Sequence, residues 1–403
     1  MKKISKFGED FLLLALRINK HIKGYVDFYY GPEKLSQIVD NEAISSPSKL
    51  LIDSDNLSNK LGSQGYDIKR EQYLEKMLTA MRTSIELLNR IEISIEDQFL
   101  KLYDVALQPA NESELKNLKE EYYEAYGEPG SLEDRIEELR IKRRVPEEKV
   151  FKFFKRALEI TEKRTKELFI NLLPENEQIL LDLTQEKNNN KIKWACYEWY
   201  LGNYNSRIEV NPKFGMYWTV LLMHSAHEGY PGHHTEFSVK ESMLYRELNQ
   251  FEHSILLLNS PKLLISEGIA DLALNVLFSY RDQAEIGLNE FCPDVSKEDS
   301  IETMIAQNKV RHKLTLFWYN FAYHALIDNY TDEELFSYGK NFEIFGEDDL
   351  RNQIKRLNDP VYSKNAFTYN LGMNIIKKKY GEFPSVKDFR NLLVNPILPC
   401  DLL

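Results

Sequence analysis

The chain has 403 residues, 43% of them hydrophobic, and a formal net charge of −11. That is ample apolar material for a large core, while the acidic balance argues against nucleic acid or an anionic membrane surface as a partner. No stretch approaches the roughly 18 consecutive apolar residues of a membrane helix, and the short run Phe11–Leu16 meets Arg17 at once with no small-residue cleavage site after it.

Apolar residues recur at helical spacing, without internal proline, over residues 7–22, 68–91, 147–173, 301–328 and 365–379. The chain therefore reads as mainly α. Between the first two segments, residues 45–65 are rich in serine, asparagine and glycine, which predicts a mobile loop. Gly127 to Gly130 separates two acidic helices, and Pro174 ends the helix before it. Thr331 with Glu334 three residues later is a capping box that starts a further short helix. The polar run 187–190 suggests a soft division into an N-terminal helical lobe, 1–190, and a C-terminal lobe, 191–403, although one continuous domain is also compatible. Cys196, Cys292 and Cys400 are far apart and lack metal-type pairing, which suits a reducing cytoplasm.

One block concentrates metal-binding chemistry: His227-Glu228-Gly229-Tyr230-Pro231-Gly232-His233-His234. The familiar helical zinc signature spaces its histidines four apart on one face, with the glutamate beside the first. Here the next histidine comes six or seven positions later. On a straight helix His233 would lie about 120° around the axis from His227, and His234, nearer in phase, about 10 Å further along. Two imidazoles sharing an ion must each place a nitrogen about 2.0–2.1 Å from it. The backbone must break between them, and Gly229, Pro231 and Gly232 are the residues to do it, through proline's clash with the preceding turn and glycine's tolerance of positive φ.

Upstream, Met216, Val220, Leu221, Met223 and His227 recur at three- and four-residue steps, so the motif begins at a helix end. Before that helix, Ile208 and Val210 alternate with polar neighbours over residues 205–211, as in a half-buried or edge strand. Such an edge is a ledge on which an extended peptide can lie. Glu267 is the candidate third protein ligand, and Asp271, one turn later on the same face, can orient a ligand histidine through its second ring nitrogen. His224 lies one turn before His227 and reads as a packing or supporting group. Of the other pair, one histidine binds; helical phase favours His234 over His233. His21, His253, His312 and His324 stand alone in ordinary helical sequence.

The His-Glu-x-x-Pro-Gly-His-His block and the later Ser266-Glu267-Gly268 resemble the bacterial domain-of-unknown-function 885 family, whose members are taken to be zinc metallopeptidase-like. Asp27-Phe-Tyr-Tyr-Gly-Pro32, the segment from Trp199 to Arg207, and the segment from Ala366 to Gly372 are similar to family segments too, so the resemblance covers most of the chain. It implies a large helical metallopeptidase-like fold with a small sheet beside the metal helix. The implied chemistry is one zinc ion activating water, with Glu228 as general base and a peptide or small amide as substrate. Tyr369, in the last family-like segment, is the first candidate for the oxyanion donor. Histidine and carboxylate ligands also admit manganese, cobalt or iron. Two other classes fit the same residues: a metal-dependent hydrolase of a non-peptide amide or ester, and a helical binding protein with a residual metal site.

Overall fold

The computed structural model describes residues 4–127, 132–184, 194–292, 299–358 and 367–403. The run 187–190, where the two lobes were divided on sequence, lies outside the described residues. The protein is mainly α, with two small sheets among the described residues. The predicted helices are present as Lys6–Asn19, Ile68–Leu88, Glu147–Leu168, Ile301–Leu326 and Thr368–Tyr380. Their starts follow local chemistry: Ser5, Asp67 and Ser300 each accept a hydrogen bond from a first-turn backbone N–H. Thr331 and Glu334 form the reciprocal capping box.

Residues 45–65 are not a loop. They hold a helix, Pro47–Leu61, with Ser46 capping it and Pro47 in its first turn. Leu50, Ser54, Leu57 and Leu61 are buried against the helix Ile68–Leu88. That stripe of alternating four- and three-residue steps outweighs the polar composition, because serines and asparagines on the remaining face simply stay in water.

Five strands follow in chain order: β1 (Val26–Tyr29), β2 (Gln178–Leu183), β3 (Cys196–Gly202), β4 (Asn205–Val210) and β5 (Ile255–Leu257). β1 pairs antiparallel with β5. The other three form a sheet in the order β2-β4-β3, with β4 parallel to β2 and antiparallel to β3. Asn203 and Tyr204 turn the β3–β4 hairpin with φ of 55° and 63°, the left-handed pair that matches strand twist in a two-residue loop. The strand expected at 205–211 is therefore central, with both sides of its ladder occupied. The edges of this sheet are β2 and β3.

Two large apolar clusters are buried. One joins residues 4–85 to Phe251, Ile255, Leu257 and Leu398. The larger draws on Phe99–Leu172 as well as on Cys196–Leu402, so packing is continuous on both sides of residue 190. At its centre lies the helix Pro261–Leu277, buried around most of its circumference. It meets Thr368–Tyr380 backbone to backbone at Gly268 and Gly372: a Cβ on Gly268 would run into the Gly372 carbonyl, and one on Gly372 into the Leu264 carbonyl oxygen. Both glycines are needed for this approach. Gly372→Ala should push the helices apart at a cost of about 1–3 kcal/mol, the usual range for overpacking. Denaturant unfolding would reveal it as a lower midpoint; an unchanged midpoint would contradict the close contact.

Candidate metal centre

The helix Leu221–Glu228 stops at Gly229, and a second helix, His233–Lys240, begins four residues later. The Gly232 N–H folds back to the Ala226 carbonyl at 2.9 Å. A Cβ on Gly232 would collide with the carbonyl oxygens of Ala226 and His227. The Tyr230–Pro231 peptide between them is cis. Neither glycine has positive φ: Gly229 sits at φ −109°, ψ −101° and Gly232 at φ −75°, ψ −134°. Glycine is required here for close backbone approach and unusual ψ, not for the left-handed region expected from sequence.

This reversal swings His233 back beside His227, ring centroids 4.8 Å apart and nearly perpendicular at 88°. Glu267 reaches the pair from the middle of the helix Pro261–Leu277. One oxygen lies 3.7 Å from His227 Nε2 and the other 3.8 Å from His233 Nε2. One ligating atom from each residue falls within 4.8 Å of the others. These separations are too long for hydrogen bonds, yet close to the roughly 3.3–3.6 Å left between two ligands that share a tetrahedral ion at about 2.0–2.2 Å. Glu267 Oε2 is buried without a hydrogen-bond partner. A carboxylate that turns one oxygen to each of two imidazole nitrogens, with its buried Oε2 bonded to nothing, fits a divalent cation of the zinc type.

The electrostatics fit as well. Burial lifts the Glu267 pKa to about 8, with Asp271, Glu228 and Asp27 adding to the rise and His227 opposing it. Burial likewise raises Glu228. Burial works against a charged His227, but the Asp271 hydrogen bond and the charges of Glu228, Asp271 and Glu267 carry its pKa up to about 10. His233 is pushed well down, by burial and then by His227. So much negative charge in a buried cavity holds protons until a cation displaces them.

Further groups fix the ligands. Asp271 Oδ1 is 3.1 Å from His227 Nδ1, leaving Nε2 to face Glu267. His233 Nδ1 lies 3.4 Å from Ser266 Oγ, which donates to Glu236 at 2.6 Å, and Glu236 is paired with the buried Lys240. Glu228 Oε1 receives the Cys196 thiol at 3.5 Å, and the Glu198 backbone N–H also donates to its carboxylate. β3 thus backs the glutamate. Asp27, Tyr197 and His224 line the same cavity. His224 is outside the ligand group and is held neutral, its pKa lowered to about 4 by burial and then by the charges of His227 and Arg311.

Sequence reasoning missed Tyr197, which donates to Asp27. Burial, then Asp27, Glu198 and Glu267, raise its pKa, so it keeps its proton. The aromatic-rich run 196–201 signals a strand, but with Glu198 buried and Trp199 and Leu201 exposed its residue types do not report which face meets the cavity. Tyr369 belongs to the helix Thr368–Tyr380, but its side chain lies outside the described residues.

His234 is not a member of the centre. The phase argument assumed one helix running through the block, whereas a new helix starts at His233, and its first two side chains diverge by about 100°. His234 is fully buried on the other side. Its Nε2 is 2.9 Å from Glu177 and its Nδ1 2.7 Å from Ser206 Oγ. A carboxylate can only accept, so Nε2 carries the proton and Ser206 donates to Nδ1. Glu177 also takes Tyr230 Oη at 2.5 Å and Lys166 Nζ at 2.7 Å. His21 and His324 pair with Ser45 and Asp328, and the His312 side chain lies outside the described residues.

Two outcomes follow. His233→Ala should abolish stoichiometric metal binding, whereas His234→Ala should keep the metal and lose about 1.5–3 kcal/mol of stability, the worth of a hydrogen bond to a buried charge that still has Lys166 and Tyr230; metal analysis beside denaturant unfolding separates them. Burial opposes the Glu177 charge, but hydrogen bonds from His234, Lys166 and Tyr230 hold its pKa down to about 2 against an ordinary 4.5. A depressed carboxylate stabilises the fold above its unfolded pKa and loses that contribution as the pH falls through its folded one. Stability should therefore decline between about pH 4.5 and 2, and Glu177→Gln should flatten that decline in acid unfolding curves.

No protein-family model and no curated protein matches the chain. Among solved structures it is similar to a "putative lipoprotein" from Colwellia psychrerythraea, at 13% identity and a TM-score of 0.48, over 89% of this chain and 66% of the other. It is also similar to a "putative lipoprotein of unknown function" from Shewanella oneidensis, at 13% identity and a TM-score of 0.46, over 90% of this chain and 76% of the other. The chain thus spans just under two-thirds of the first neighbour's length. A likeness of this strength carries no argument about chemistry or location.

Proposed function

We propose that the protein is a divalent-metal-dependent hydrolase of peptide bonds, with His227, His233 and Glu267 holding zinc and Glu228 as general base. The observation that carries this reading is the Glu267 carboxylate set between the two imidazoles, its Oε1 facing His233 and its buried, unpartnered Oε2 facing His227, with Glu228 next to His227 in the chain. The resemblance to the domain-of-unknown-function 885 family belongs to the same proposal. When bound at such a site, zinc polarises a carbonyl and brings the pKa of a coordinated water toward about 7.

The chain's own residues do the rest. Glu228, whose proton affinity is raised by burial, accepts the proton of the attacking water and passes it to the leaving nitrogen. Asp271 holds His227 in the tautomer that turns Nε2 toward Glu267. Tyr197 lines the cavity and donates its one hydroxyl proton to Asp27, so it fixes that carboxylate at the cavity wall. The ledge for an extended substrate moves from β4 to the edge strand β3, whose residues Cys196, Tyr197 and Glu198 border the cavity.

Glu228→Gln should retain a full equivalent of zinc while cleavage of a peptide library falls about 10²–10⁴-fold, the span of general acid–base catalysis. Loss of zinc in that variant would make Glu228 a ligand and refute its assigned role. Chelation should abolish turnover and added zinc should restore it.

A further inference from the structure

The metal cavity adjoins a second one of about 280 Å³, and Met223 and Asp271 line both. Asp271 is committed to His227, so the second cavity begins where the ligand support ends. Its walls are largely apolar, formed by Trp218, Leu222, Leu274, Met304 and Met373. Two cations stand in this wall. Lys377 is neutralised by Glu382 at 2.9 Å. Arg311 is half-buried, and its Nη2 is steadied by Asn308 Oδ1 at 3.0 Å. Among the described residues Arg311 forms no ion pair with a carboxylate, which stands out in a chain with 63 acidic residues against 52 basic ones. Its charge is felt at His224 in the metal cavity and at Tyr280 in the second one. Arg311 also borders a neighbouring cavity beside Arg140 and Arg143. The wall shared with the metal cavity, at Met223 and Asp271, is what distinguishes the apolar side.

We propose that the second cavity receives the C-terminal residue of a peptide or N-acyl amino acid, its apolar side chain against Trp218, Leu222 and Met373 and its α-carboxylate on Arg311. The protein is then a carboxypeptidase for apolar C-terminal residues. This rests on the hydrolase reading above and deepens it. An exopeptidase of this kind needs a closed apolar pocket beside the reacting carbonyl and a fixed cation one residue beyond the scissile bond. A planar guanidinium can take a carboxylate through two parallel N–H···O bonds, and such charge-assisted bonds are the strong ones. In the reaction the water oxygen joins the acyl carbon and the C–N bond breaks. Two protons from water are divided between the released amine and the new acid, and nothing is oxidised or reduced.

The test compares an acid with its amide. For the zinc-loaded protein, N-benzyloxycarbonyl-glycyl-leucine should be cleaved with kcat/KM about 10- to 100-fold above that of the same compound with a C-terminal amide, the worth of hydrogen bonds to a charged group. Arg311→Met should erase that difference, mainly through KM, and Arg311→Lys should restore part of it. A readout independent of turnover is calorimetric binding of N-acetyl-leucine to the metal-free protein, expected to weaken about tenfold or more in Arg311→Met and for N-acetyl-leucinamide. Should Arg311→Met fail to fold by circular dichroism, the acid–amide comparison on the unaltered chain still decides. Equal cleavage of acid and amide, with equal binding, overturns the carboxylate site and leaves the hydrolase intact. Absence of any Glu228-dependent cleavage, with tight and Arg311-dependent binding of the acid, overturns the hydrolase reading and leaves the carboxylate site.

Discussion

Two histidines six positions apart in sequence can meet at one point only if the helix between them stops and starts again, and the centre is organised around that interruption. Where the first helix ends, Glu228 becomes its last residue and projects beside His227. Where the second begins, His233 points back at its partner and His234 is left to face the opposite way. The joint itself is made of backbone: Gly232 packs against the carbonyls of Ala226 and His227 in a space that admits no side chain. Neighbouring elements then fit the broken helix. β3 supplies Cys196 and Glu198 behind Glu228, and the helix Pro261–Leu277 supplies the adjacent Ser266 and Glu267, with Asp271 one turn beyond Glu267.

A second constraint comes from charge. Asp27, Glu198, Glu228, Glu267 and Asp271 line one cavity, where burial, and after it the charges of Asp27 and Glu228, raise the proton affinity of Glu198 and Glu267. Such a cluster costs stability unless cations enter it. Elsewhere in the interior the protein provides its own: Lys240 for Glu236, Arg70 for Glu252, and Lys166 for Glu177. At Glu267 no lysine or arginine is supplied among the described residues, and two imidazoles stand in that place. Carboxylates around the centre are neutralised by lysine or arginine, while within it the Glu267 Oε2 has no partner, and the proposed metal rests on that contrast.

Much of this was legible in the residues. Density of histidine and carboxylate in one block, the glycines and proline that interrupt it, and the i, i+4 relation of Glu267 to Asp271 are local features that a spacing argument can use. Helix positions were legible too, since period and capping act within a few residues: Thr331 and Glu334 satisfy one another wherever the rest of the chain lies. The failures have a common form. Residues 45–65 were read by composition when four positions at helical period governed them. β4 was read as half-buried or an edge; its alternation rightly reported one buried face but could not give the number of neighbouring strands. His234 was preferred to His233 because phase was extended through a break that resets it.

The sequence by itself determined the chemistry available: which residues could bind a cation, that a glutamate lay beside them, that the helix had to break, and that most of the chain would be helical. These follow from bonded geometry and near neighbours, which travel with the chain. Only the tertiary structure decided which histidine completes the triangle, that Ser266 and Asp271 set the two ring orientations, and that Cys196, Glu198 and Tyr197 come from a strand some thirty residues upstream. It also decided that Gly268 and Gly372 let two helices touch, and that Arg311 stands beside the metal cavity. Contacts of that kind depend on how separate elements pack in three dimensions, and no spacing along the chain encodes the distance between residues a hundred positions apart.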